Sequence, residues 1–94
     1  MTKHKARFQL GRTVATRGAL AALFEANQEP LGLLARHQAG EWGDLDEEDK
    51  QENEFSVKRA LRIFSAYTLS TGVKVWVITE ADRSQTTILL PSEY

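Results

Sequence analysis

The stretch from residue 63 to residue 90 constrains this chain more than any other. Ile63-Phe64-Ser65-Ala66-Tyr67-Thr68-Leu69, Val73-Lys74-Val75-Trp76-Val77-Ile78-Thr79 and Thr86-Thr87-Ile88-Leu89-Leu90 are three runs of β-branched and aromatic residues. Ser70-Thr71-Gly72 and Ala81-Asp82-Arg83-Ser84 supply turn residues between them, so the pattern predicts a three-stranded antiparallel meander. In the middle run Val75 and Val77 point to one face and Trp76 and Ile78 to the other. A strand that is apolar on both sides belongs inside a sheet with cover on both faces. Helices are expected on one face and a second subunit on the other, which makes a homodimer part of the expectation.

The upstream chain supplies the helices. Residues 6–10 alternate, with Phe8 and Leu10 on one side, and predict a short strand ended by Gly11. Thr16 is a plausible N-cap for a helix over 17–27 whose Leu20, Leu23 and Phe24 share a face. Pro30 opens a second helix, to about Gln38, with Leu33, Leu34 and His37 clustered at its surface and Gly40 just past its end. Asp44 and Glu47 have capping-box spacing for a third helix that runs to about Ala60. That helix directs Phe55, then Val57, Ala60, Leu61 and Phe64 toward the core. The expected fold is α+β: an N-terminal short strand and three helices followed by the meander. Residues 1–94 form one domain in this reading, with 1–6 a flexible basic tail.

The net charge of −1 over 94 residues hides a segregation. Residues 41–54 carry eight acids (Glu41, Asp44, Asp46, Glu47, Glu48, Asp49, Glu52, Glu54) against Lys50 alone. Both flanks are mildly basic. The run has two accounts. Acids at the start of a helix and Lys58, Arg59 and Arg62 at its end suit the macrodipole, and Asp46–Lys50 and Glu54–Lys58 have i, i+4 spacing. Alternatively the run forms a surface that imitates a phosphate backbone and competes for a basic groove on a protein partner. Trp42, a core aromatic in the first account, is an interface anchor in the second. The candidate protein-binding residues are therefore Trp42, Asp44, Asp46, Glu47, Glu48, Asp49 and Glu52, with Glu80, Asp82 and Arg83 as loop candidates. Carboxylates repel phosphate, so direct nucleic-acid binding through this run is disfavoured. Lys3, Lys5, Arg7, Arg12 and Arg17 with Tyr67 or Trp76 offer a nucleic-acid alternative, opposed by the interleaved acids.

Other chemistries have less to stand on. There is no cysteine, hence no thiolate site or disulfide. Asp44, Asp46 and Glu48 alternate like calcium ligands, but Asp49 and Phe55 stand where such a loop needs glycine and glutamate. His4 and His37 lack paired-ligand spacing, and no metal or cofactor is expected. His37, Glu54, Tyr67, Glu80 and Arg83 have the residue types of a small ribonuclease or toxin without a motif that fixes a nucleophile or base. No apolar run approaches the length of a membrane span, and none of signal-peptide length follows the basic start, so a cytoplasmic location is expected.

The strings Gly11-Arg12-Thr13-Val14-Ala15-Thr16-Arg17-Gly18-Ala19-Leu20, HQAGEWGDL over 37–45, EDKQENE over 48–54 and TEADRSQTTILLPSEY over 79–94 resemble a family of small proteins carried on plasmids and genomic islands of proteobacteria. Members are termed plasmid-related proteins, and some are labelled as the M subunit of type I restriction endonucleases. The resemblance covers nearly the whole chain. It implies a mobile-element context, in which defence, counter-defence (anti-restriction or anti-CRISPR-like) or plasmid maintenance is the setting. The methyltransferase label has no counterpart in the residues: the only prolines, Pro30 and Pro91, are far apart, so no Asn-Pro-Pro-aromatic motif exists. The reading that results is a non-catalytic protein-binding module.

Overall fold

The computed structural model describes residues 5–94; Lys3, His4 and most of the expected basic tail lie outside them. Strand β1 (Arg12–Ala15) leads into helix α1 (Arg17–Glu25), followed by α2 (Pro30–Gln38), α3 (Glu47–Arg59), β2 (Ile63–Thr68), β3 (Lys74–Thr79) and β4 (Gln85–Leu89). A 3-10 turn over Pro91–Glu93 ends the chain. The α+β class holds, but the sheet is four-stranded and mixed, in the order β1-β4-β3-β2. Strands β2, β3 and β4 are antiparallel neighbours, while β1 adds a parallel pairing to β4 with Thr13 beside Thr86 and Ala15 beside Ile88. The expected meander is therefore only part of the sheet.

The expected strand over 6–10 is not formed. Its alternation is real, since Phe8 is buried and Gln9 exposed, but its backbone is used elsewhere. Arg7 N–H donates to the Gln38 carbonyl (2.9 Å), and the Gln38 side chain donates to the Phe8 carbonyl (2.8 Å). The segment thus straps the end of α2. The strand begins after Gly11, whose φ of +66° and approach to the Arg83 and Ser84 carbonyls leave no room for a Cβ.

Helices α1 and α2 cover one face of the sheet. Ala19, Leu23 and Ala26 of α1 and Leu33 and Leu34 of α2 pack on Tyr67, Leu69, Val75, Val77 and Ile88. The stripe expected on α1 is only partly used: Leu23 is buried, whereas Leu20 is 47% and Phe24 85% exposed. Their positions lie progressively around the helix from Leu23, and the sheet reaches only the Ala19–Leu23–Ala26 side. A second cluster joins Phe8, Trp42 and Ile63, flanked by Leu10, Leu45 and Val57.

Helix α3 does not pack as expected either. Phe55 and Leu61 are half exposed, Ala60 is exposed, and the buried residues of the helix are Asn53 and Ser56. Its cap is Asp46, whose carboxylate accepts from Asp49 N–H (2.8 Å), rather than Asp44. Asp44 is unavailable because residues 42–44 lie against the outer edge of β2: Asp44 N–H donates to the Ala66 carbonyl and Ala66 N–H to that of Trp42. Gly43 makes this approach possible. Its φ is +79°, and a Cβ there would sit within 1.9 Å of the Ala66 carbonyl oxygen. Asn53 continues the seal along the same edge, donating to the Phe64 carbonyl (2.6 Å) and accepting from its N–H (3.1 Å).

Candidate functional site: an acidic helix beside an aromatic hollow

Among the described residues no α-helix covers the sheet face opposite α1 and α2, and only the C-terminal 3-10 turn lies against β3 there. Register places Phe64, Ile78, Trp76 and Leu89 there. Ring edges pack Phe64 on Trp76 (5.0 Å between centroids) and Trp76 on Tyr94 (5.7 Å). Arg62, Phe64, Trp76, Ile78 and Tyr94 line a hollow of about 230 Å³. Arg62 donates to the Tyr94 hydroxyl (2.8 Å), lies over its ring, and approaches Glu80 at 4.0 Å. The C-terminal turn is held at its other side by Glu93, whose carboxylate accepts from the Thr16 hydroxyl, Gly18 N–H and Leu90 N–H. Those donors hold its carboxyl below the usual range, the Thr16 hydroxyl most of all.

Beyond Phe64 and Arg62 a second hollow, about 350 Å³, opens between β2 and α3. Glu48, Asp49 and Glu52 line it together with Asn53 and Ser56. Their spacing of one and four residues puts all three on the flank of α3 next to its buried Asn53–Ser56 stripe. Among the described residues the ion pairs are Arg7–Glu54, Arg36–Glu41 and Arg62–Glu80, so these three acids form no ion pair there, although Arg62 also lines the hollow. The expected Asp46–Lys50 and Glu54–Lys58 pairs are not formed.

The remaining candidates divide. Glu47 is exposed on the first turn of α3 outside this hollow, and Asp46 serves as the cap. Asp44 accepts from the Thr68 hydroxyl (2.6 Å) beside the β2 edge. Trp42 is 4% exposed and is no surface anchor. Its indole N–H donates to Glu54 (3.0 Å), which also receives a two-bond fork from Arg7 (2.9 and 2.7 Å). The Arg7 fork, helped by Trp42, lowers the Glu54 carboxyl to about 2. Glu80 approaches Arg62, and Asp82 organises its own turn by accepting from Ser84 N–H (3.0 Å); the Ser84 hydroxyl first and its N–H second hold the Asp82 carboxyl below the usual range. Arg83 (φ +62°) donates to the carbonyls of Ser56, Leu61, Glu80 and Ala81. It ties the end of α3 to the β3–β4 turn.

His37, expected at the helix surface, is fully buried. The hydrogen bonds around it order themselves. Thr86 donates to the Leu10 carbonyl (2.7 Å), so Thr86 accepts from Thr79 (2.7 Å). Thr79 therefore accepts from His37 Nε2–H (2.9 Å), and unprotonated Nδ1 accepts from Ser65. One neutral tautomer satisfies every partner. Burial, with Arg83 nearby, lowers its pKa to about 3. Tyr67 is likewise buried, its hydroxyl donating to the Glu41 carbonyl, and burial raises its pKa to about 12. Neither hollow is lined by His37, Glu54, Tyr67, Glu80 or Arg83.

Sequence reasoning missed Arg62, Phe64, Ile78 and Tyr94 as a common lining; it placed Trp76 and Ile78 on one face for a second subunit to cover, and named Trp76 also as a possible base-stacking residue. The available signal was the second apolar face of residues 73–79. No described helix is long and apolar enough to cross a membrane. Comparison with protein-family models, curated proteins and solved structures gives no match.

Proposed function

We propose that this chain is a non-catalytic protein-binding module that receives a basic segment of its partner between α3 and the open sheet face. The observation that carries this reading is the adjacency of the two hollows across Arg62 and Phe64. Unpaired Glu48, Asp49 and Glu52 offer a lysine- or arginine-rich segment charge-assisted contacts. The aromatic hollow accepts an apolar side chain from that segment, the kind of anchor that concentrates binding energy. Because Trp42 is inside the protein, the anchor comes from the partner. The resemblance to plasmid and genomic-island proteins supports a nucleic-acid-binding defence complex as that partner, with the carboxylates standing in for phosphates. A pull-down from nuclease-treated lysate of a proteobacterial host tests it. The wild type is expected to retain a basic protein that the Glu48→Lys, Asp49→Lys, Glu52→Lys variant loses, with unchanged circular dichroism. Equal retention by both rejects the reading.

A further inference from the structure

Helix α1 carries a second surface that its own fold leaves uncovered. Arg17, Leu20, Ala21, Phe24 and Glu25 are all exposed. At 3.6 residues per turn they form one continuous arc, opposite the buried Ala19–Leu23 side. Its apolar centre is substantial, with Phe24 at 85% and Leu20 at 47% exposure, and Leu31 on α2 is 72% exposed.

The charges that bound the arc oppose their own helix. Arg17 is the first residue of α1 and Glu25 the last, and the helix has no acid in its first turn or base in its last. A macrodipole favours the reverse, by about 0.3–1 kcal/mol per charge. Neither residue joins an ion pair within the chain among the described residues. At the amino end the Glu93 carboxylate, accepting from the Thr16 hydroxyl and Gly18 N–H, already offsets part of the conflict; an antiparallel neighbour of the same sequence adds to this at Arg17 and resolves the conflict at Glu25. It brings the negative end of the neighbouring helix to Arg17 and the positive end to Glu25.

We propose that a second copy of this chain packs its α1 antiparallel against this face across a two-fold axis at Ala21. Arg17 and Glu25 are each four residues from Ala21, so each Arg17 meets Glu25 of the second copy, twice per dimer. The small Ala21 side chains meet at the axis and permit close approach. The contact is isologous and closes on itself. This places the second subunit on α1 rather than on the sheet face that the apolar pattern of residues 73–79 suggests. A helix of nine residues gives a small interface, so the expected affinity is micromolar.

Size-exclusion chromatography with light scattering, on the full chain at submillimolar concentration, tests the arrangement. The wild type is expected at twice the chain mass of 10.6 kDa. Phe24→Asp, Arg17→Glu and Glu25→Arg are each expected at the chain mass. All three positions are exposed, and circular dichroism verifies their folding. An equimolar mixture of Arg17→Glu with Glu25→Arg is expected to return to the dimer, because every cross-pair is again opposite in sign. A monomeric wild type, a dimer indifferent to Phe24→Asp or to the single reversals, or failure of the mixture to reassemble overturns the proposal.

Discussion

Helices α1 and α3 carry charge in opposite ways. Helix α3 has Glu47, Glu48 and Asp49 in its first turn, Asp46 as its cap, and Lys58 and Arg59 in its last turn. Each agrees with the helix's own dipole, so local stability accounts for much of the acidic run without a partner. Helix α1 begins with Arg17 and ends with Glu25; the Glu93 carboxylate at Thr16 and Gly18 answers the amino end, but nothing in the helix accounts for Glu25. The denser cluster is thus the weaker evidence for an interaction, charge for charge. On α3 the residue that the dipole leaves unexplained is Glu52, beyond the first turn and on the hollow beside Phe64. The two helices are also held differently. Carbon packing at Ala19 and Leu23 seats α1, whereas α3 is seated by the Asn53 amide on the β2 edge and by Arg83 at its end.

Acid has the largest expected effect and sharpens this contrast. His37 has a folded pKa of about 3 against an ordinary 6.5, so the unfolded chain takes up a proton that the native chain refuses. Its contribution is complete above pH 6.5 and is lost as the pH falls toward 3, on the order of 5 kcal/mol. Glu54, about 2 against 4.5, adds a loss as the pH falls from 4.5 to 2, on the α3 side of the molecule. Urea unfolding at a series of pH values is expected to show stability decreasing from neutrality downward; a flat profile between pH 6.5 and 4 contradicts the buried neutral His37.

Truncating the two anchors comes next. Leu23→Ala is expected to cost about 3 kcal/mol through the cavity it leaves under α1. Asn53→Ala is expected to cost about 2 kcal/mol, because it strands the Phe64 N–H and carbonyl at the sheet edge. Hydrogen exchange separates the cases: Asn53→Ala should raise exchange at Phe64, and Leu23→Ala should not do so selectively. The smallest effect breaks the comparison most directly. Glu25→Arg is expected to stabilise dilute protein by about 0.5 kcal/mol, and Glu48→Lys to destabilise it by a similar amount. Chemical denaturation at low protein concentration checks the opposite signs.

Much of the fold was legible in short-range chemistry. The Thr16 cap, the Pro30 start and the Gly40 end of α2 rest on local backbone rules, and each is seen. The three carboxy-terminal strands were legible from β-branched density. What failed was long-range. Asp44 has a cap's spacing to Glu47, but residues 42–44 are taken up by Ala66. Phe8 and Leu10 alternate like a strand, but Gln38 binds the Arg7 N–H and the Phe8 carbonyl, and the Thr86 hydroxyl binds the Leu10 carbonyl. Asn53 reads as one more polar residue on an acidic helix, and only its placement against Phe64 makes it an edge-sealing group. Of the candidate site, the acids were legible by charge alone. Their hollow was not, since Arg62, Phe64, Trp76 and Tyr94 come from separate elements.

The residues alone determined where α1 and α2 start and where α2 stops, that the strand over Lys74–Thr79 is apolar on both sides, and that negative charge gathers after Gly40, because these follow from neighbours within a turn or a pleat. Tertiary structure decided that Trp42 and His37 are interior, that β1 joins β4 in parallel, and that Leu20 and Phe24 remain outside. Those outcomes depend on which surfaces meet across the chain, and a helical stripe wider than the sheet it rests on does not declare which of its edges stays in water.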